Sequence, residues 1–175
     1  MILKLKRTPG IYLVGFMASG KTTIGKHLAD EIGWRFVDLD HEIEKEQGSS
    51  IGDIFDTQGE EAFRRIESAA IQKRVLDVEK GHPMVMALGG GAFVRADNID
   101  LLQNHGITLW LDCPFSIVSA RVGQASHRPL ARDPERFLQL YLDRRASYAK
   151  SDYRIEVSGD DPAQAVAAIL NLPIF

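Results

Sequence analysis

Short apolar runs alternate with longer amphipathic stretches along this chain. Short apolar runs without polar alternation are typical of strands covered on both faces in a parallel sheet. Alternation of such strands with helices predicts an α/β protein with three layers, α/β/α, around a short five-stranded parallel sheet. The predicted strands are Ile11–Val14, Arg35–Val37, Met84–Leu88, Ile107–Leu111 and Tyr153–Val157.

Apolar residues at helical spacing predict the helices between these strands. Asp133 and Asp161 each precede a proline, which is a helix start signal. Residues Gly123–Asp133 (GQASHRPLARD) follow neither period, and we predict that they form a lid loop. The predicted helices are Thr22–Ile32, Glu60–Val78, Asn98–Asn104, Phe115–Val122, Pro134–Ala149 and Pro162–Leu170.

The composition is that of an ordinary globular protein, and its 175 residues fit a single domain. A net charge of −3 without a basic run argues against nucleic acid as a partner. One cysteine, Cys113, and five scattered histidines predict neither an internal disulfide nor a histidine-based metal site. No signal peptide or membrane span is evident, so we expect a cytoplasmic monomer.

The sequence GFMASGKT at Gly15–Thr22 matches the phosphate-loop motif G-x-x-x-x-G-K-[ST], between a predicted strand and a predicted helix. Backbone N–H groups and the helix N-terminus favour an anion there. Lys21 can reach the β- and γ-phosphates, and Thr22 can offer its hydroxyl to Mg²⁺. The motif predicts a nucleoside triphosphate site. Its predicted contact residues are Gly15, Ala18, Ser19, Gly20, Lys21, Thr22 and Thr23.

Two carboxylates, Asp38 and Asp40, follow the second predicted strand in the run FVDLD. Open α/β sheets bind ligands at the carboxyl ends of their strands. One carboxylate there can hold a water of Mg²⁺, and the other can accept the proton of an acceptor hydroxyl. The alternative is that they cap a helix over HEIEKE, and it has more weight for Asp40 than for Asp38.

Three glycines, Gly89, Gly90 and Gly91, follow the third predicted strand. Glycines there can expose backbone N–H groups to a bound carboxylate or hydroxyl. Taken alone, the triplet is typical of a tight turn. Its place beside the phosphate loop in a parallel sheet favours a substrate contact.

Arg64 and Glu67 share one face of the long predicted helix, whereas Arg65 points elsewhere. Arg64 could grip an anionic substrate while Glu67 orients it. Ion pairs at i,i+4 spacing, Glu60 with Arg64 and Glu61 with Arg65, make a solvated salt-bridge face an equal alternative.

A second arginine, Arg144, lies on an aromatic stripe of the helix after the lid, at helical spacing from Tyr141 and Tyr148. An arginine on an inward stripe needs an anionic partner. The adjacent Arg145 remains an alternative. Asp112 ends the fourth predicted strand like the Mg²⁺ aspartate of many ATPases, but we interpret it as lying on the side of the nucleotide base.

Together these motifs resemble the shikimate kinase family, a small branch of the nucleoside-monophosphate-kinase-like group, over essentially the whole chain. The specific signal is their order along the chain. In that order they are the phosphate loop, DLD at Asp38–Asp40, FRRIE at Phe63–Glu67, GGG, R-P-L at Arg128–Leu130, and R-x-x-x-Y at Arg144–Tyr148.

The resemblance implies transfer of the ATP γ-phosphoryl group to the 3-hydroxyl of shikimate, with Mg²⁺ as cofactor and a role in aromatic amino acid biosynthesis. It implies substrate-binding helices over about residues 40–78. The implied contacts are Asp40, Arg64, Glu67, the triple glycine and Arg144 for shikimate; Thr22 and, through water, Asp38 for Mg²⁺; Lys21 and Arg128 for phosphate; and Arg121 for adenine. Asp40, Lys21 and Arg128 are the expected catalytic residues.

Two departures from the family pattern stand out. Ala18 occupies a loop position that is often glycine, and RRASY replaces R-x-P-L-Y, so the Arg144 assignment depends on spacing alone. Two other functions stay open. A gluconate kinase would share the loop and lid but lack DLD, FRRIE and GGG. A nucleotide-dependent sensor without turnover would need neither Asp40 nor Arg128.

Overall fold

A computed structural model of the chain describes residues 10–124 and 133–175. Its five strands form one parallel sheet in the order β2-β3-β1-β4-β5. β1 and β3 are buried along their whole length, as expected for a parallel sheet covered on both faces. The strands are β1 (Gly10–Val14), β2 (Arg35–Asp38), β3 (Met84–Ala87), β4 (Gly106–Asp112) and β5 (Tyr153–Glu156).

The predicted α/β fold with a five-stranded parallel sheet is confirmed, and no strand end differs from its prediction by more than one residue. The described ranges contain eight α-helices and a short 3₁₀ turn at Ala92–Val94. The helices are α1 (Lys21–Ile32), α2 (Leu39–Gln47), α3 (Ile51–Gln58), α4 (Glu60–Glu79), α5 (Ala96–His105), α6 (Phe115–Gln124), α7 (Pro134–Tyr148) and α8 (Pro162–Leu170).

Two short helices, α2 and α3, were absent from the helices predicted by periodicity. Their apolar residues, Leu39 and Ile43 in α2 and Ile51, Ile54 and Phe55 in α3, pack on the core at helical spacing, but helices of nine and eight residues are too short to show a repeated period. Polar caps define their starts instead, because the side chains of Asp38 and Ser50 accept hydrogen bonds from backbone N–H groups three residues later.

The predicted caps of the two late helices are confirmed. Asp133 accepts a hydrogen bond from the Arg136 N–H, and Asp161 accepts one from the Ala163 N–H. α6 continues through Gln124, so Gly123 and Gln124 belong to a helix and not to the predicted loop. Residues 125–132 of the predicted lid, with Arg128, lie outside the described residues. None of the described helices is long and apolar enough to cross a membrane.

Candidate active site

The loop between β1 and α1 carries the phosphate-loop motif. Gly20 has a left-handed backbone with φ of 95°, and a Cβ on Gly15 would lie 2.7 Å from the Leu111 carbonyl oxygen. These positions therefore require glycine. The Lys21 ammonium donates to the carbonyl oxygens of Gly15 and Phe16, both at 2.8 Å. Lys21, which is predicted to bind the phosphates, therefore lies against the phosphate loop itself.

Ala18 is the one described residue other than glycine with positive φ, at 59°. A left-handed backbone costs a residue with a Cβ roughly 1–2 kcal/mol. The Ala18 carbonyl accepts a hydrogen bond of 2.8 Å from Arg121, which also donates to Asp160 at 2.9 Å. Arg121 therefore joins the phosphate loop to the segment after β5. A cleft of about 320 Å³ lies beside it, bounded by Ala18, Thr23, Arg121 and Pro162 among others.

Asp38 joins the loop to the end of β2. Its Oδ2 accepts a 2.8 Å hydrogen bond from the Thr22 hydroxyl, and its Oδ1 accepts one of 3.2 Å from the His41 N–H. Asp38 is therefore the N-cap of α2, and the greater weight given to Asp40 as a cap was wrong. Asp40 lies in the first turn of α2 instead.

Asp40 is a half-buried residue whose Oδ1 atom is buried. Its Oδ1 has no hydrogen-bond partner within the described part of the chain. Burial, and next the charge of Asp38, raise the pKa of Asp40, while Lys21 and Arg64 lower it more weakly. A buried carboxylate oxygen without a partner is costly unless a ligand supplies one. Asp40 is thus suited to accept a proton or hydrogen bond.

The triple glycine accommodates one charged side chain at each position. A Cβ on Gly89 would lie 2.8 Å from Asp40 Oδ1, and a Cβ on Gly90 would lie 3.0 Å from Arg144 Nη1. A Cβ on Gly91 would collide with the Arg64 guanidinium. None of the three glycines has positive φ. Close approach of side chains, rather than turn geometry, is what requires glycine here.

Arg64 reaches this position from α4. Its Nη1 lies 2.8 Å from Glu67 Oε1, and the Glu67 side chain is 1% exposed. Glu60 is 3.7 Å from Arg64, and Glu61 lies 3.7 Å from Arg95. The predicted salt-bridge face of this helix, which paired Glu60 with Arg64 and Glu61 with Arg65, is therefore present only in part. Burial raises the pKa of Glu67, and Arg64 opposes that shift.

Arg144 reaches the triple glycine from α7. Its guanidinium lies 5.8 Å from the centre of the Phe16 ring. Tyr148, one turn further on, donates a 2.6 Å hydrogen bond to the Gly90 carbonyl. Arg145 forms a bidentate pair with Asp112, with distances of 2.6 and 3.1 Å. The two neighbouring arginines thus occupy different surroundings, and Arg145 is the one that engages the Asp112 carboxylate.

A cavity of about 490 Å³ extends from the phosphate loop to the start of the triple glycine. Among its lining residues, His41 and Glu44 on α2 are polar side chains that were not predicted from the sequence. Glu44 accepts a hydrogen bond of 3.0 Å from the Ile51 N–H, which ties α2 to α3. The N-cap at Asp38 was the one sequence signal that could have predicted helix α2, and with it the position of these two residues at the cavity.

The oxygen atoms of Thr22 and Asp38 fit a magnesium ion. Mg²⁺ prefers oxygen ligands and takes one or two carboxylates together with substrate phosphates and water. Within the described residues, no group of three or more histidine, cysteine, aspartate or glutamate side chains could hold a metal. The site therefore offers a few oxygen ligands beside a phosphate loop rather than a closed metal cage.

Comparison with known proteins gives one consistent result. The family model for shikimate kinase matches residues 17–172. A shikimate kinase of Persephonella marina is 42% identical over 91% of this chain and 96% of its own length. The structure of an Acinetobacter baumannii shikimate kinase in complex with shikimate is 34% identical, with a TM-score of 0.84 over 94% of this chain and 92% of that one. An Aquifex aeolicus shikimate kinase is 33% identical, with a TM-score of 0.79 over 91% and 93%.

Proposed function

This chain belongs to the shikimate kinase family and is an ATP-dependent phosphotransferase that acts on shikimate, and we propose that the triple glycine is its acceptor site. The observation that carries this proposal is the approach of Asp40, Arg64 and Arg144 to three consecutive glycines. One carboxylate and two cations, gathered from three helices, match an acceptor that has hydroxyls and a carboxylate.

Asp40 is the proposed base. Its unpartnered Oδ1 and its raised pKa support a role as proton acceptor for the reacting hydroxyl. A carboxyl with an ordinary pKa would be a weaker base near neutral pH. Asp38 is already occupied by Thr22 and by the α2 N-terminus, so it is the poorer candidate.

Arg64 and Arg144 are the proposed partners of the shikimate carboxylate. An arginine fork matches the geometry of a carboxylate and binds it through charge-assisted hydrogen bonds. Glu67 accepts a hydrogen bond from Arg64 Nη1, and this leaves the other N–H donors of the guanidinium for a ligand. Glu67 therefore acts as an orienting residue in this proposal.

The nucleotide is proposed to occupy the phosphate loop, with its adenine beside Arg121 and its phosphates beside Lys21. Thr22 and, through water, Asp38 would hold Mg²⁺ when it accompanies ATP. When bound, the ion neutralises charge on the phosphate oxygens. Arg128 remains the predicted lid arginine for the transferring group.

In phosphoryl transfer the protein takes little part in covalent chemistry. It acts mainly by positioning the reactants and by electrostatic stabilisation. Asp40 aligns the acceptor hydroxyl and takes its proton. Arg64 and Arg144 fix the other end of the acceptor, so that the hydroxyl points towards the loop. Lys21 offsets charge on the phosphates.

The direct test is an assay of ADP release with purified protein and MgATP, against shikimate, quinate, gluconate and nucleoside monophosphates. We expect release that depends on shikimate and is negligible with gluconate and the nucleotides. Equal turnover of gluconate, or tight binding of shikimate without turnover, would contradict the proposal.

A further inference from the structure

Arg144 and Arg145 are consecutive on α7 but point to different partners. Consecutive helix residues project about 100° apart around the axis. Arg144 lies against Gly90 and Phe16, and Arg145 lies against Asp112. The rotation of α7 about its own axis therefore decides which arginine faces the triple glycine.

Arg145 is held by several contacts at the end of β4. Its two terminal nitrogens donate to the two oxygens of Asp112, whose side chain is 7% exposed. Nη1 also donates to the Tyr141 hydroxyl at 3.0 Å, and the guanidinium lies 4.9 Å from the centre of the Trp110 ring. A bidentate fork fixes orientation as well as distance.

Arg144 has softer contacts. Its guanidinium lies over the Phe16 ring at 5.8 Å. The Tyr148 hydroxyl ties α7 to the backbone after β3. The pair between Asp112 and Arg145 also ties α7 to the sheet, because Asp112 belongs to β4, and its two-point fork fixes the orientation of the contact.

We propose that Asp112 and Arg145 are positioning residues that set the rotation of α7 and thereby aim Arg144 at the acceptor. Neither residue touches the acceptor in this account. The inference rests on the proposed function, because it presumes that Arg144 binds the shikimate carboxylate. Arg145, the second arginine of RRASY, thus has a positioning role.

Arg154 provides the matched control. It reaches the same carboxylate from β5, with Nε at 2.8 Å from Asp112 Oδ2, and its side chain is 51% exposed. Arg154→Ala removes one arginine from Asp112 but leaves the contact between α7 and β4 intact.

The experiment measures steady-state kinetics of Arg145→Ala, Arg154→Ala, Arg144→Ala and the double variant of Arg144 and Arg145. We expect Arg145→Ala to raise the KM for shikimate about 5- to 20-fold, with kcat and the KM for ATP within about 3-fold. Arg154→Ala should change every constant less than about 2-fold. Adding Arg145→Ala to Arg144→Ala should raise the KM no further, because Arg145 acts through Arg144.

Each other outcome has a definite meaning. An Arg145→Ala enzyme with normal KM, beside an impaired Arg144→Ala enzyme, overturns the inference and leaves the proposed function standing. An unimpaired Arg144→Ala enzyme overturns the proposed role of Arg144 and, with it, the inference. Equal effects of Arg145→Ala and Arg154→Ala, or additive effects in the double variant, also overturn the inference.

A conservative variant tests the inference even if Arg145→Ala does not fold. Arg145→Lys keeps the charge and the aliphatic stem but loses the bidentate fork. We expect it to fold, as judged by its melting temperature, and to raise the KM for shikimate to an intermediate value. If Arg145→Ala does not fold, a normal KM in Arg145→Lys overturns the inference, and a raised KM with unchanged KM for ATP supports it.

Discussion

The proposed nucleotide side of the site is built from one stretch of chain, whereas the proposed acceptor side gathers residues from four distant elements. The loop and the start of α1, residues 15–23, supply most of the proposed phosphate contacts. The acceptor side combines Asp40 of α2, Arg64 of α4, Arg144 of α7 and the glycines after β3. A local motif can fix the first side, but only packing fixes the second. The two sides should therefore respond differently to substitution.

The largest expected effect separates chemistry from nucleotide binding. Asp40→Asn keeps the shape of the side chain but removes its charge as a base. We expect kcat to fall roughly 10²- to 10⁴-fold while the KM for ATP changes less than about 3-fold. Asp56→Asn, at an exposed position of α3, is the matched control. Near-normal kcat in the Asp40→Asn enzyme would show that Asp40 is a structural residue and not the base.

The pH dependence of both activity and stability follows from the raised pKa of Asp40. Activity should fall as pH drops through that raised value, because protonated Asp40 cannot take a proton. The folded state binds this proton more tightly than the unfolded state. Ionised Asp40 therefore lowers stability at neutral pH, and the cost disappears below its unfolded pKa of about 4.

Asp40→Asn should consequently melt at a higher temperature than the wild type at pH 7. The difference should vanish near pH 3.5, where the wild-type carboxyl is protonated in both states. Thermal unfolding at the two pH values checks this. A variant that melts at a lower temperature at pH 7 would show that the charge of Asp40 is satisfied in the folded protein.

A smaller effect is expected where a glycine is filled on the acceptor side. Gly91→Ala places a methyl group where the Arg64 guanidinium lies. We expect the KM for shikimate to rise about 10- to 100-fold, with the KM for ATP nearly unchanged. Gly52→Ala is the control, because its Cβ would meet only the Ser50 hydroxyl oxygen at 3.8 Å. Equal responses of the two variants would remove the close-approach argument.

The smallest effect concerns the nucleotide side alone. Ala18→Gly relieves a left-handed backbone, worth roughly 1–2 kcal/mol, but adds about 0.4–1 kcal/mol of unfolded-state entropy. A net gain of roughly 0.5–1 kcal/mol should raise the melting temperature by about 1–4 °C. The KM for shikimate should not change. A lower melting temperature would mean that Ala18 is not strained.

The sequence predicted the sheet and the long helices well, because buried strands and amphipathic helices leave clear apolar patterns. Periodicity missed α2 and α3, which are too short to show a repeated period, although the family resemblance implied helices over about residues 40–78. It also gave the wrong preference between Asp38 and Asp40 as a cap, since both residues lie at the start of the same helix.

The acceptor side shows the deeper limit. Spacing alone could not separate Arg144 from Arg145, because their surroundings depend on contacts with Gly90 and with Asp112, which are far away in the chain. Nor could the triplet's composition reveal that each glycine makes room for one charged side chain. Such facts exist only after the helices pack on the sheet.

The central claim is that Arg64 and Arg144 bind the acceptor at the triple glycine, and calorimetric titration of shikimate in the presence of ADP tests it most directly. Arg64→Ala and Arg144→Ala should each weaken binding about 10- to 150-fold, since each loses a charged hydrogen bond to the carboxylate. Arg65→Ala, the exposed neighbour on α4, should bind like the wild type. Wild-type affinity in the Arg64 and Arg144 variants, or equal loss in the Arg65 variant, would contradict the claim.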